Sequence, residues 1–171
     1  MNTTNIFLVL ALFSVTQLMG QAEVGSKAYS FMLSGLLSHT VPEISTKNAV
    51  EEAATTVFLD ARESHEYQVS HIKDAIFVGY DKFDMQTVLD HVPKSKKVVV
   101  YCSVGYRSEK ISEQLLAQGY QDVSNLYGGI FEWKNSGYPV YKDEKETKEV
   151  HAYDRVWGLW LKKGEKVYGK P

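Results

Sequence analysis

The sequence has little cysteine and little proline, with one cysteine and four prolines among 171 residues. A lone cysteine excludes an internal disulfide framework, so a hydrophobic core must stabilise the fold. This cysteine and the five histidines lack the spacing of metal ligands, and the chain has no internal repeat and no phosphate-binding loop pattern. We therefore expect no metal and no cofactor, and a thiol that stays free to react.

An excess of one charge is also lacking, because the formal net charge is −2 and basic and acidic residues are interspersed. This balance gives no electrostatic reason to expect nucleic acid or an anionic membrane as a partner. Hydrophobic residues make up 44% of the chain and charged residues 23%, ordinary values for a globular protein. The length fits one domain with extensions.

The N-terminal region has an apolar run, Ile6–Val15, that is too short to span a bilayer but has the length of the central region of a secretory signal. Gly20 and Ala22 supply small residues where a signal peptidase needs them. We therefore predict a signal peptide over 1–22, cleaved after Ala22 or Gly20, and an exported, periplasmic protein without membrane contact after cleavage. A buried N-terminal helix is the alternative, because residues 1–5 contain no Lys or Arg.

The central stretch of the chain places the cysteine where a strand gives way to a helix. Val98–Tyr101 is short, apolar and β-branched, which predicts a buried strand that ends at Cys102. After residue 107, apolar residues recur at helical spacing, with Ile111 and Leu115 on one face. The thiol is therefore expected at the first turn of an amphipathic helix.

This position favours a reactive thiol at Cys102. The first turn of a helix has free N–H groups and partial positive charge, which stabilise a thiolate. Gly105 allows a tight curve that turns successive N–H groups toward one point, and Arg107 adds a fixed positive charge. The alternative is a buried, unreactive cysteine at a strand end.

The sequence around Cys102 resembles the active-site loop of rhodanese domains, which are sulfurtransferases that carry sulfur as a cysteine persulfide. Two further motifs of that family stand in the expected order, and the resemblance covers about residues 41–141. The quoted residues are Cys102-Ser103-Val104-Gly105-Tyr106-Arg107-Ser108 in the loop, Leu59-Asp60-Ala61-Arg62-Glu63 with Glu66-Tyr67 and His71-Ile72 upstream, and Leu126-Tyr127-Gly128-Gly129 with Trp133 and Gly137-Tyr138-Pro139-Val140 downstream.

The resemblance implies a rhodanese-like three-layer α/β fold, with a mostly parallel five-stranded sheet and helices on both faces. It implies that Cys102 and Arg107 are catalytic. Asp60 is expected to order its loop, and Arg62 either contacts the substrate or forms a salt bridge with a nearby carboxylate. The other expected substrate-binding residues are Ser103, Val104, Gly105, Tyr106 and Ser108.

The implied activity is transfer of a sulfane sulfur from a small donor, thiosulfate or a persulfide, to a thiol or to cyanide. Related dual-specificity phosphatases and arsenate reductases have one more residue between Cys and Arg, and this chain has four between Cys102 and Arg107. The shorter loop favours a single sulfur over a tetrahedral oxyanion. A persulfide carrier that serves a dedicated partner and turns over thiosulfate poorly is the second hypothesis.

The segments outside the resemblance are a leader over 23–40 and an aromatic C-terminal extension over 142–171. The leader is interpreted as a short packed helix or an ordered segment. Residues 143–149 are rich in charge and predict a solvated turn or short helix. Trp157, Trp160 and Leu161 share one helical face, which either covers the domain or docks a protein acceptor of sulfur.

Overall fold

The computed structural model describes residues 22–169. The predicted signal peptide therefore lies, apart from Ala22, outside the described residues. Among the described helices, none is both long enough and apolar enough to cross a membrane.

The core of the fold is a sheet of five parallel strands in the order β1-β5-β4-β2-β3. This topology confirms the predicted five-stranded, mostly parallel sheet. The strands are β1 (Glu43–Ile44), β2 (Thr56–Asp60), β3 (Ile76–Phe77), β4 (Lys97–Tyr101) and β5 (Asp122–Leu126).

Strand β4 lies in the middle of the sheet because its β-branched residues are buried on both faces. Val98 and Val100 join the apolar cluster on one face, and Val99 and Tyr101 join the cluster on the other. All four side chains are fully buried. A strand covered on both sides is typical of parallel sheets, and it delivers Cys102 to the carboxyl edge of the sheet.

Helices cover both faces of the sheet, as the three-layer prediction required. Helices α4 and α5 pack against one cluster, whereas α1, α2 and α6 pack against the other. The helices are α1 (Lys27–Leu36), α2 (Thr46–Glu51), α3 (Ser64–Val69), α4 (Met85–His91), α5 (Tyr106–Ala117) and α6 (Gly129–Asn135), and a short 3₁₀ helix (Ala53–Thr55) follows α2.

The expected solvated turn in residues 143–149 is present at Asp143 and Glu144, which are both exposed, but the flanking residues form no short helix. Strand β6 (Val140–Lys142) and strand β7 (Lys145–Thr147) form an antiparallel hairpin instead. Its two turn residues, Asp143 and Glu144, both have positive φ, 47° and 62°. That conformation matches the twist of a two-residue hairpin, although it is normally occupied by Asn or Gly.

The C-terminal extension packs on the domain. Strand β8 (Glu149–His151) pairs in parallel with β9 (Glu165–Val167), and a 3₁₀ helix (Trp157–Trp160) lies between them. Val150 and Leu161 are fully buried in the cluster that also holds α1 and α6. Trp157 and Trp160 pack against the same cluster, and they do so from a 3₁₀ helix and not from a regular α-helix.

Candidate active site

The loop between β4 and α5 holds the cysteine at the first turn of the helix. Cys102 is 1% exposed, and its Sγ accepts a hydrogen bond from the backbone N–H of Gly105 at 3.1 Å. Gly105 has φ 123°, a value that side-chain-bearing residues rarely adopt, so glycine is needed for this curve. The loop therefore turns a backbone donor toward the sulfur.

The outer side of this loop is fixed by a buried polar pair. The Asn125 side-chain amide donates to the carbonyl of Gly105 at 3.0 Å, and the Ser108 hydroxyl donates to Asn125 Oδ1 at 2.7 Å. Ser108 is fully buried and does not line the cleft described below. Its hydroxyl therefore supports the loop, and a contact between Ser108 and substrate stays a prediction that concerns its backbone N–H.

Gly129, in the downstream motif, lets helix α6 approach the loop closely. A Cβ on this residue would lie 2.4 Å from the carbonyl oxygen of Cys102, and its φ is 57°. The N–H groups of Ile130 and Phe131 donate to the carbonyls of Cys102 and Ser103 at 2.9 and 3.2 Å. The start of α6 therefore fixes the loop from below, which explains why this motif contains glycine.

Arg107 is held beside the thiol by a buried carboxylate. Its Nη1 and Nη2 donate to the two oxygens of Glu66 at 2.6 and 2.9 Å. Nη2 also donates to the Ser103 hydroxyl at 3.0 Å, and that hydroxyl donates to Glu66 at 3.1 Å. The three side chains form a closed network that fixes the guanidinium in one orientation.

The charges in this network are strongly stabilised. Burial opposes ionisation of Glu66, but the hydrogen bonds and charge of Arg107 outweigh it and lower the pKa of Glu66 to about 2. Burial likewise opposes the charge of Arg107, but Glu66 and the nearby sulfur raise the pKa of Arg107 above its ordinary value. The pair is therefore ionised at neutral pH.

Arg62 does not take the substrate-binding place expected for it. Its side chain is fully buried, and Nη2 donates to Asp60 at 2.6 Å and to the carbonyl of Ser70 at 2.7 Å. Asp60 also accepts from the backbone N–H of Arg62 at 3.0 Å, so the pair orders the turn after β2. The salt bridge, the second of the two interpretations, is the one the structure contains.

A cleft of about 240 Å³ opens above the sulfur. The loop between β4 and α5 supplies the floor of this cleft, so five of the expected site residues line it. Tyr106 is 43% exposed at the mouth, and Tyr153 is 48% exposed opposite Arg107, whose guanidinium carbon lies 5.3 Å from the ring centre. The lining residues are Leu36, Cys102, Ser103, Val104, Tyr106, Arg107, Tyr153 and Trp157.

Sequence reasoning missed four of the residues that form or support this site. Glu66 belongs to the upstream motif, but both Arg62 and Arg107 could pair with it, and the sequence does not show which of them does. Leu36, Tyr153 and Trp157 come from the two extensions, where no motif marks them. Only the concentration of aromatic residues in the tail indicated a role there.

His151 fixes the backbone at Tyr153. The N–H of Tyr153 donates to His151 Nδ1 at 3.1 Å, so the neutral ring carries its proton on Nε2, which donates to the carbonyl of Gly169 at 2.9 Å. Burial lowers the pKa of His151 below its ordinary value. Within residues 22–169 no cluster of three or more His, Cys, Asp or Glu side chains is arranged to hold a metal.

A parallel α/β sheet with a cysteine at the carboxyl end of its central strand, a glycine-curved loop and an arginine five residues on is the arrangement of rhodanese-like domains, a sulfurtransferase-type family. The chain belongs to the rhodanese-like domain family, whose family model matches residues 45–136. This finding confirms the family predicted from the three motifs. Leu36, Tyr153 and Trp157 lie outside the matched range.

Curated relatives include the proteins named tRNA uridine(34) hydroxylase. The protein of Cytophaga hutchinsonii is 38% identical over 89 residues, covering 50% of this chain and 28% of the relative. That of Pectobacterium atrosepticum is 36% identical over 102 residues, covering 54% and 28%. The chain thus spans little more than a quarter of the length of these relatives.

Solved structures show the same fold. A rhodanese-related protein from Thermoplasma volcanium is 27% identical, with a TM-score of 0.52 over 58% of this chain and 97% of that one. Thiosulfate sulfurtransferase from Pseudomonas aeruginosa is 20% identical, with a TM-score of 0.55 over 78% of this chain and 26% of that one. The second likeness concerns the fold alone.

Proposed function

We propose that this protein is a sulfurtransferase that moves a sulfane sulfur from a small donor to a thiophilic acceptor through a persulfide on Cys102. The single observation that carries the proposal is the thiol itself, held by the Gly105 N–H at the floor of an open cleft with Arg107 at its side. A metal or cofactor is not part of the proposal.

In the first half-reaction the Cys102 thiolate attacks the outer sulfur of the donor. With thiosulfate, a new S–S bond forms, the old S–S bond breaks, and its electron pair leaves with sulfite. The products are a persulfide anion on Cys102 and sulfite, so the total charge is unchanged. Arg107 and the amides of the loop stabilise the negative charge that passes between the sulfurs.

In the second half-reaction an acceptor thiolate, or cyanide in the test tube, attacks the outer sulfur of the persulfide. The Cys102 thiolate leaves and is ready for another donor. Splitting one transfer into two displacements is the usual advantage of covalent catalysis, and it predicts ping-pong kinetics.

The alternative of a persulfide carrier uses the same first half-reaction and differs in the acceptor, a protein docked at the C-terminal extension. Phosphatase or arsenate reductase chemistry fits less well, because the guanidinium of Arg107 is engaged with both oxygens of Glu66 and the loop is one residue short. The relatives are named for action on tRNA, whereas the net charge of −2 gives no electrostatic reason to expect nucleic acid as a partner of this chain.

We also propose that the protein is exported and acts in the periplasm after removal of residues 1–22. The supporting observation is the apolar run at Ile6–Val15 followed by small residues. The mature N-terminus, read by mass spectrometry from a periplasmic fraction, tests this proposal. A full-length N-terminus in the cytoplasmic fraction contradicts it.

The function is tested by thiocyanate formation from cyanide with thiosulfate and with methanethiosulfonate as donors. We expect turnover with Cys102 intact and none with Cys102→Ala. Arg107→Lys keeps the charge but loses the two-pronged bond to Glu66, and we expect at least a tenfold loss, on the order of 1.4 kcal/mol. Arg155→Lys, at an exposed arginine, is the matched control and keeps full activity. Equal rates in wild type and Cys102→Ala contradict the proposal.

A further inference from the structure

The walls of the cleft are apolar and come mainly from outside the family match. Leu36 belongs to α1, and Tyr153 and Trp157 belong to the C-terminal extension. Val104 and Tyr106 complete the apolar lining from the loop. The shape of the binding site is therefore a property of this chain's own extensions and does not follow from the shared domain.

The N-terminal wall is anchored to the domain. Glu109, fully buried on α5, accepts hydrogen bonds from the backbone N–H groups of Ser38 and Thr40 at 3.0 and 3.3 Å. The Tyr29 hydroxyl donates to the carbonyl of Gly128 at 2.8 Å. These contacts hold both ends of α1, so Leu36 keeps a fixed place beside the sulfur.

The two extensions also contact each other. The rings of Tyr29 and Trp160 stack at 5.2 Å with 13° between their planes. Trp157 lies one 3₁₀ turn before Trp160, so the stack also fixes the turn that carries Trp157. The wall is thus built from two segments that are far apart in sequence and packed together over the loop.

Tyr153 is held in an unusual backbone conformation. Its φ is 64°, in the left-handed region, and its N–H is bonded to His151 while its ring lies over the Arg107 guanidinium. Residues other than glycine keep such a conformation where their surroundings fix it, and these positions concentrate at ligand sites. A half-exposed aromatic ring fixed at the mouth of a cleft is suited to contact a ligand.

The charges of the cleft do not suit a donor with two negative charges. Among the lining residues that the structure describes, Arg107 is the one cation, and its charge is matched by the ionised Glu66. Arg62 is fully buried and paired with Asp60. A dianion such as thiosulfate therefore finds no unmatched cation among the described lining residues, and it must approach a thiolate.

We propose that the preferred donor is an organic sulfane-sulfur compound with one negative charge, whose apolar group lies against Leu36, Tyr153 and Trp157 while its outer sulfur reaches Cys102. This inference rests on the proposed sulfur transfer and adds the class of donor. With a thiosulfonate, the thiolate bonds to the outer sulfur, the S–S bond breaks, and its electron pair leaves with the sulfinate. One persulfide anion and one sulfinate anion replace one thiolate and one thiosulfonate anion.

The test compares thiosulfate, methanethiosulfonate and benzenethiosulfonate as donors, with cyanide as the common acceptor. In a ping-pong reaction kcat/KM for the donor reports the first half-reaction alone. Each value is divided by the rate at which the same donor sulfurates a free small thiolate, which removes intrinsic reactivity. We expect benzenethiosulfonate to exceed methanethiosulfonate by at least about tenfold, and methanethiosulfonate to exceed thiosulfate.

Variants assign the preference to the cleft wall. Trp157→Ala and Tyr153→Ala are expected to lower the ratio of benzenethiosulfonate to methanethiosulfonate toward one. Val156→Ala, at a side chain that is 68% exposed and outside the lining, keeps the wild-type ratio. Thiosulfate as the best normalised donor, a wild-type ratio near one, or an unchanged ratio in both wall variants overturns the proposal. If Cys102 takes sulfur from none of the three donors, the proposed sulfur transfer itself is overturned, and not only the class of donor.

Discussion

The carboxylate of Glu66 accepts hydrogen bonds from both terminal nitrogens of Arg107, at 2.6 and 2.9 Å, beside the cleft that opens onto Cys102. The pair determines where the guanidinium lies, and Glu66 already engages both of its terminal nitrogens. The charge beside the thiol is therefore balanced, which distinguishes this site from one built to bind a dianion.

Glu66→Gln keeps the shape of the side chain and removes its charge. Arg107, whose side chain is 14% exposed, is then left without its counter-charge, and we expect a loss of about 3 kcal/mol in the free energy of unfolding at neutral pH. Urea denaturation measures the loss. Glu113→Gln, which weakens the partly exposed pair with Lys110, is the control and is expected to cost under about 1 kcal/mol.

The same carboxylate predicts a pH dependence of stability. The pKa of Glu66 is lowered from 4.5 to about 2, so the unfolded chain binds its proton at higher pH than the folded protein does. The contribution of the pair is complete above pH 4.5 and is lost as the pH falls toward 2. Urea midpoints measured across this range should fall more steeply for wild type than for Glu66→Gln, and parallel curves would contradict the assignment.

Gly129→Ala tests whether α6 fixes the active-site loop. The new methyl group would lie 2.4 Å from the Cys102 carbonyl oxygen, at a φ of 57° that disfavours alanine. We expect destabilisation of about 2 kcal/mol or more and at least a tenfold fall in kcat/KM, because the loop must shift. Gly35→Ala, which meets nothing within 4 Å, is the matched control and keeps both stability and activity. Unchanged kcat/KM in Gly129→Ala contradicts this account of the motif.

Leu161→Ala tests whether the C-terminal extension is part of the core. Leu161 is fully buried, and removing its side chain should cost about 2 to 5 kcal/mol, measured by urea denaturation. Leu159, two residues earlier, is 63% exposed, and Leu159→Ala is expected to change stability by less than about 0.5 kcal/mol. Equal effects of the two substitutions would show that the extension does not pack as described.

His151 predicts a second pH effect, near neutrality. Burial lowers the pKa of His151 from 6.5, so the folded protein holds the neutral ring and the unfolded chain takes up the proton first. Stability is complete above pH 6.5 and declines below it, because a proton on Nδ1 breaks the bond from the Tyr153 N–H. The difference in urea midpoint between about pH 7.5 and about pH 5.5, which lie on either side of the ordinary histidine pKa, should be smaller in His151→Asn. If wild type and His151→Asn show the same difference, the pH effect does not come from His151.

Local signals in the sequence predicted the centre of this fold well. The β-branched run before Cys102, the glycine at 105 and the helical spacing after it each act over a few residues, and the structure places the strand, loop and helix accordingly. The strands on either side of the turn at residues 143–144 were missed because Asp143 and Glu144 occupy positions where Asn or Gly is the usual hairpin signal.

The rest of the site depends on contacts between distant segments. Tyr153 reaches Arg107 from nearly fifty residues away, and Leu36 reaches the same cleft from the other terminus. The helical and strand spacing of residues in a sequence does not predict contacts between such distant segments. For Arg62 the sequence offered a substrate or a carboxylate as partner, and only the burial of its side chain against Asp60 decides between them.

The central claim is that Cys102 carries one additional sulfur, and intact-mass analysis of the protein tests it most directly. After treatment with thiosulfate or methanethiosulfonate, wild type should gain the mass of one sulfur atom, lose it on addition of cyanide, and show no gain as Cys102→Ala. No gain in wild type with either donor, or the same gain in Cys102→Ala, would contradict the account.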